Sequence, residues 1–160
     1  KAYGGQVIIA ELDKARVLQA QYDGWQVQPL SEAIKDADVI ATATGAKNVV
    51  SAEMLTQAKS GLFILNVGHV AEEIDVAFLK QYPMSEPMPY VNAYTVNGKT
   101  IYLLADGSMF NLTAGYGDSL NAFDVTLAVM ASGIGHIVGE GERAENDVYL
   151  LPKAVWEKVL

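Results

Sequence analysis

Four short stretches hold the side chains from which a chemistry can be assembled. They are Glu11 after Val7-Ile8-Ile9-Ala10, Thr42-Ala43-Thr44-Gly45 after Asp38-Val39-Ile40-Ala41, Asn66-Val67-Gly68-His69 after Leu62-Phe63-Ile64-Leu65, and Asn111 within Met109-Phe110-Asn111-Leu112. Three of the four stand where an apolar run ends. In an open parallel sheet such ends share an edge, and ligands bind in the crevice there. An acid at Glu11 has a defined meaning at the end of a dinucleotide-fold strand. It accepts hydrogen bonds from the adenosine ribose hydroxyls and repels a 2′-phosphate, which selects NAD over NADP. A local cap or salt bridge is the equal alternative from spacing alone. Gly68 lets backbone approach a ligand, and His69 beside it can donate, accept or relay a proton near neutral pH. His69 is the candidate catalytic residue because it follows a strand end and precedes Glu72-Glu73-Ile74-Asp75. Of those acids, Glu72 reads as solvated, Asp75 as a helix cap and Glu73 as undetermined. Asn111 puts an amide into an apolar segment, where it must find backbone or ligand partners. His136, at a glycine-rich helix end, reads as structural or exposed.

The elements that must position these residues follow from periodicity and punctuation. Gln6 to Glu11 reads as a buried strand, Asp13 caps a helix over Lys14 to Tyr22, Gly24 closes it, and Trp25 to Val27 is a second strand. Pro29 and Ser31 open a brief helix through Lys35, and Asp38 to Thr44 is a strand stopped at Gly45. Ser51 caps a helix over Ala52 to Lys59, and Gly61 turns the chain into the almost wholly apolar strand Leu62 to Val67. Apolar runs without alternation belong to parallel sheets covered on both faces. Asp75 starts a helix through Lys80, and Pro83, Pro87 and Pro89 mark a loop. Tyr90 to Val96 and Lys99 to Leu104 flank Asn97-Gly98, a hairpin signal. The fold class is therefore α/β: a doubly wound, Rossmann-like parallel sheet ending in an antiparallel hairpin. Gly115 and Gly117 read as a hinge, and Asp118 or Ser119 caps a long helix carrying Leu120, Phe123, Leu127, Met130 and Ile134 at helical spacing. Gly139 to Glu145 is a polar connector, and Pro152 sits in the first turn of a short terminal helix. Residues 1–116 form one expected domain, and 117–160 a returning hinge helix with its C-terminal segment.

Composition bounds the partners. The 160 residues are 51% hydrophobic, which excludes a disordered chain, and the formal charge of −8 makes nucleic acid and anionic membranes electrostatically poor partners. No apolar stretch is long enough to span a bilayer, because the longest, Ala122 to Val138, contains Asp124, Gly133 and Gly135. The absence of cysteine fits a reducing compartment, so a cytoplasmic location is expected, and two histidines are too few for a His-built metal cluster.

Together these stretches resemble the cofactor domain of the S-adenosyl-L-homocysteine hydrolases. The resemblance rests on Val7-Ile8-Ile9-Ala10-Glu11-Leu12-Asp13 with Leu18-Gln19-Ala20, on Thr42-Ala43-Thr44-Gly45, on Asn66-Val67-Gly68-His69 with Glu73-Ile74-Asp75, and on Leu103-Leu104-Ala105-Asp106-Gly107 with Asn111-Leu112. It implies an enzyme that holds NAD, oxidises the substrate's 3′-hydroxyl, eliminates homocysteine, adds water and reduces the product to adenosine. Glu11 would bind the adenosine ribose of the cofactor with Arg16 beside it. Val67, Gly68 and His69 would lie along the nicotinamide side and Asn111 would hold the carboxamide end, with Thr44, Gly45 and Asp118 also among the cofactor-binding residues. His69 would also face the substrate ribose. The chain departs from the family pattern at Arg16, where Asn is usual, at Val70 and Ala71, where Phe and Asp are usual, and at Asp118, where His is usual.

The resemblance also implies a small-molecule substrate, a homo-oligomer, and a glycine-rich fingerprint and first strand ahead of Lys1, so the sheet is expected to be incomplete at its N-terminal side. Two other readings are a 2-hydroxyacid-type dehydrogenase domain, disfavoured by the hairpin, and a non-catalytic nucleotide-binding or interaction module.

Overall fold

The computed structural model describes residues 3–115, 120–140, 145 and 147–159. They fall into two compact units divided between Gly115 and Tyr116.

The first unit is a series of strand-helix alternations. Strand β1 (Ile8–Ile9) leads to α1 (Lys14–Tyr22), whose first turn is capped by the Asp13 carboxylate accepting from Arg16 N. Gly24 turns the chain with φ +77° into β2 (Gln26–Val27), which pairs parallel to β1. Helix α2 (Leu30–Ala33) precedes β3 (Val39–Thr42). Helix α3 (Ala52–Gln57), capped by Ser51, precedes β4 (Leu62–Asn66). A 3₁₀ turn at Ala71–Glu73 and helix α4 (Val76–Leu79), capped by Asp75, follow. Strands β5 (Met84–Met88), β6 (Val91–Val96) and β7 (Lys99–Leu104) complete a five-stranded sheet of order β3-β4-β7-β6-β5. β3, β4 and β7 run parallel, and β6 and β5 are added antiparallel. The β6–β7 turn takes its two left-handed residues from Asn97 (φ +50°) and Gly98 (φ +79°), as the Asn-Gly pair requires.

Among the described residues β1 and β2 make a separate pair and no strand joins either of them to β3, in keeping with a sheet expected to be incomplete at its N-terminal side. Two expectations are corrected. Among the described residues the five-stranded sheet is not covered on both faces. The row Ile40, Ile64 and Leu103 is buried with Leu62, Ile101 and Leu55, whereas the opposite row, Val39 against Phe63 against Tyr102, faces outward, with Val39 58% exposed. There Phe63 and Tyr102 stack with ring centroids 4.4 Å apart. The unbroken apolar run of β4 thus buries only alternate side chains fully. Finally, the proline-marked loop contains a strand. β5 lies at the sheet edge, where Pro87 costs no ladder hydrogen bond, and its register against β6 shifts between Ser85 and Met88.

Past β7 a second 3₁₀ turn (Ala105–Gly107) leads to helix α5 (Phe110–Thr113). The second unit contains the long helix α6 (Leu120–Glu140) and the short α7 (Lys153–Trp156), with Pro152 at the N-cap rather than inside the first turn. Leu151 lies against α6 at Gly133, where an added Cβ would sit 3.5 Å from its Cδ2. Phe123, Leu127, Met130 and Ile134 are all exposed. The expected cap at Asp118 or Ser119 lies outside the described residues. So does the expected connector from Gly139 to Glu145, apart from Gly139 and Glu140, which belong to α6, and Glu145.

Candidate functional site

Glu11 stands two residues past β1, and its carboxylate turns back on its own chain. Oε1 accepts from Leu12 N at 2.6 Å and Asp13 N at 2.9 Å. Those two N–H donors, helped by the charge of Arg16, hold the carboxyl below its ordinary range, so it is an anion at neutral pH. The second oxygen lies 3.8 Å from the Arg16 guanidinium, a loose and solvent-exposed pairing. The local cap and ion pair that the sequence offered as one reading of Glu11 are both present. One oxygen serves as a local cap, and the other retains acceptor capacity toward a diol.

The turns after β3 and β4 meet through a carboxylate from further along the chain. Glu73 is fully buried and accepts from Gly45 N at 2.7 Å, Thr44 N at 2.9 Å and Thr44 Oγ1 at 2.8 Å. Burial pushes its carboxyl up, but the backbone donors of Thr44 and Gly45 and the hydroxyls of Thr44 and Thr42 outweigh that and hold it below the ordinary range. The Thr44 hydroxyl in turn accepts from Ala46 N at 3.1 Å. The backbone follows the same course: Val50 N donates to Glu73 O, and Asp75 N to Val50 O. The segment after β3 is thus laced onto residues 72–75.

Asn66, at the last position of β4, is buried and fully used. Its Oδ1 accepts from Gly68 N at 2.7 Å and Thr42 Oγ1 at 3.3 Å, while Nδ2 donates to Val70 O at 2.8 Å and Gly107 O at 3.2 Å. This one amide ties the ends of β3 and β4 to the turn after β7. Gly68 has no room for a side chain, since an added Cβ would collide with Glu73 Oε1 and lie 3.2 Å from Asn66 Oδ1. The chain therefore passes directly over the Glu73 carboxylate, and the next residue, His69, is exposed, its Cε1 within 3.5 Å of where a Cβ on Gly45 would be. Val67 is exposed as well.

The turn after β7 is held from outside. Ala105, Asp106 and Gly107 all adopt positive φ, which costs energy for the two residues with side chains and persists only where neighbours enforce it. Lys80 Nζ donates to Asp106 Oδ2 at 2.9 Å, and Val76 Cγ2 leaves no space for a Cβ on Gly107.

Thr44, Gly45, Gly68 and His69 are thus brought together at one edge, with Val67 exposed one residue before Gly68. Asn111 sits exposed on α5, where its amide is open to solvent. Asp118 lies outside the described residues. Glu72 is exposed and 3.9 Å from Lys47, and Asp75 caps α4 through Phe78 N, both as expected. Sequence reasoning left Glu73 unassigned. Its partners lie 28 and 29 positions away, and the one local trace of it is the glycine at Gly68.

Residues 1–117 match the family described as "S-adenosyl-L-homocysteine hydrolase, NAD binding domain". Among curated relatives, an adenosylhomocysteinase of Thermotoga maritima is 35% identical over 98% of this chain and 39% of its own length. One of Saccharolobus solfataricus is 37% identical over 95% of the chain and 37% of its own length. An S-inosyl-L-homocysteine hydrolase of Methanopyrus kandleri is 32% identical over 99% of the chain and 38% of its own length. The chain spans less than two-fifths of the length of these relatives.

Proposed function

Since the chain belongs to the S-adenosyl-L-homocysteine hydrolase family, as its NAD-binding domain, we propose that the protein carrying it hydrolyses S-adenosyl-L-homocysteine to adenosine and homocysteine with NAD held along these strand ends. The observation that carries the reading is the family match over residues 1–117. The residues fit the cofactor. An ionised carboxylate with one oxygen left for a ribose diol follows β1, and an exposed turn narrowed by Gly68 presents an imidazole after β4. Bound NAD supplies a reversible hydride acceptor for the substrate's ribose.

In this arrangement Glu11 accepts from the adenosine ribose hydroxyls, and Arg16 borders the same sugar and weakens the exclusion of a 2′-phosphate. Thr44, Gly45, Val67 and Gly68 line the nicotinamide side, where backbone can come close because two of the four are glycines. His69 faces the substrate ribose and holds or takes a proton there. Asn111 holds the carboxamide end, and Asp118 is a further cofactor-binding residue. The exposure of Asn111 leaves its amide free to serve a ligand, which supports that role.

The test is adenosine release from S-adenosyl-L-homocysteine by the purified protein, with bound NAD assayed after denaturation. Turnover with NAD retained is expected, and His69→Ala should lower it about 10²-fold or more. An unchanged rate in His69→Ala would remove its assigned role. A second substrate is favoured by the relative named for S-inosyl-L-homocysteine, which matches 99% of this chain. The cofactor side does not read the substrate's base, so both thioethers belong in the assay.

The same reading makes the protein a cytoplasmic homo-oligomer. The apolar side chains that α6 exposes support association, and the lack of cysteine in these 160 residues fits a reducing compartment. Sedimentation of the purified protein tests the first. Among the described residues, no helix is long and apolar enough to cross a membrane.

A further inference from the structure

The feature that the proposed reaction leaves unused is a buried anion. Glu73 has no exposed surface, and none of its hydrogen bonds goes to a charged group. An ionised carboxylate in such a place is tolerated only when donors surround it. Here the donors come from Thr44 and Gly45, in the turn after β3, and the surface over its Oε1 is the backbone of Gly68, in the turn after β4. We propose that Glu73 is a positioning residue: its carboxylate sets the spacing between the Thr44–Gly45 turn and the Gly68–His69 turn, and through them the seat of the nicotinamide end of NAD.

Two features make this more than a structural brace. First, the carboxylate holds the Thr44–Gly45 turn by two backbone N–H groups and the Thr44 hydroxyl and lies under the backbone of Gly68, so a change at Glu73 reaches a ligand through those groups. Second, the packing allows little slack. The missing Cβ of Gly68 leaves the chain resting on Glu73 Oε1, and Gly45, held by that same oxygen at 2.7 Å, has His69 Cε1 as its neighbour. Moving the carboxylate therefore moves the Gly45 amide and the imidazole against one another. Glu11 lies outside this network, since its partners are Leu12, Asp13 and Arg16. The adenosine end of the dinucleotide should not register the change.

This inference rests on the NAD-binding reading above, and the experiment separates the two. Glu73→Gln keeps the shape of the side chain but, whichever way the amide is turned, sets an NH₂ group against the backbone N–H of either Gly45 or Thr44. Dissociation constants for NAD and for ADP-ribose, which lacks the nicotinamide, are measured by calorimetry on the purified protein and the variant. The NAD constant should rise about tenfold while that for ADP-ribose stays within about twofold. Equal weakening of both ligands, or no change in either, would overturn the positioning role. A parent protein that binds neither would instead overturn the NAD-binding reading. If Glu73→Gln yields no folded protein, Glu73→Asp carries the same comparison, because it keeps the charge and draws the carboxylate back from the N–H groups of Thr44 and Gly45. It should raise the NAD constant about threefold with ADP-ribose unchanged, and an unaltered ratio of the two constants would again overturn the proposal.

Discussion

Glu11 and Glu73 are both carboxylates past the ends of parallel strands, and both are held ionised below their ordinary range, by different means. Glu11 is held by the N–H groups of the next two residues and stands in solvent, so its charge is available to a ligand. Glu73 is held by residues 28 and 29 positions earlier and has no exposed surface, so its charge serves the fold. The same functional group is thus left open to a ligand by local hydrogen bonding and made into a joint by long-range hydrogen bonding.

That contrast sets the order of expected effects. Glu73→Leu strips the acceptors from two backbone N–H groups and a hydroxyl at once, and should lower the free energy of unfolding by about 3 kcal/mol, read by urea denaturation. A loss as small as that of a surface substitution would erase the distinction between the two acids. Gly68→Ala forces a methyl group against the Glu73 carboxylate and should cost about 2 kcal/mol in the same assay. The double variant Gly68→Ala/Glu73→Asp, in which the carboxylate is drawn back, should recover part of it.

The pH dependence is smaller and has a fixed sign. A carboxyl whose folded pKa lies below its ordinary value of 4.5 contributes stability that is present above that value. That contribution is lost as pH falls through the folded pKa. Unfolding followed from pH 6 down to about pH 3 should therefore show an acid-side loss that is flatter in Glu73→Gln. Glu11→Gln should leave the curve and the denaturation midpoint near those of the parent, because its hydrogen bonds are exposed. Its effect belongs to the ligand. Affinity for NAD should fall, and the preference for NAD over NADP should narrow.

What the sequence disclosed divides along the same line. The caps at Asp13, Ser51 and Asp75 and the Asn97-Gly98 turn were readable because each is made within four residues. The parallel strands β3 and β4 were readable from their apolar runs, although only alternate positions of those runs are fully covered. β5 was hidden because prolines and polar residues at a sheet edge look like a loop until a partner strand is placed beside them. Glu73 was hidden for a related reason, since nothing adjacent to it reveals that Thr44 and Gly45 fold back onto it. Asn111 was singled out as an amide among apolar neighbours, and α5 leaves it exposed. His69 and Gly68 were singled out because glycine followed by histidine at a strand end is a local pattern with a direct chemical meaning.

The most direct test of the central claim is a crystal structure of the protein grown with NAD. The account predicts one dinucleotide whose adenosine ribose hydroxyls donate to the free oxygen of Glu11 and whose nicotinamide lies against Gly68 and His69. A dinucleotide that touches neither end, or a Glu11 carboxylate and a His69 imidazole that contact separate molecules, would contradict it.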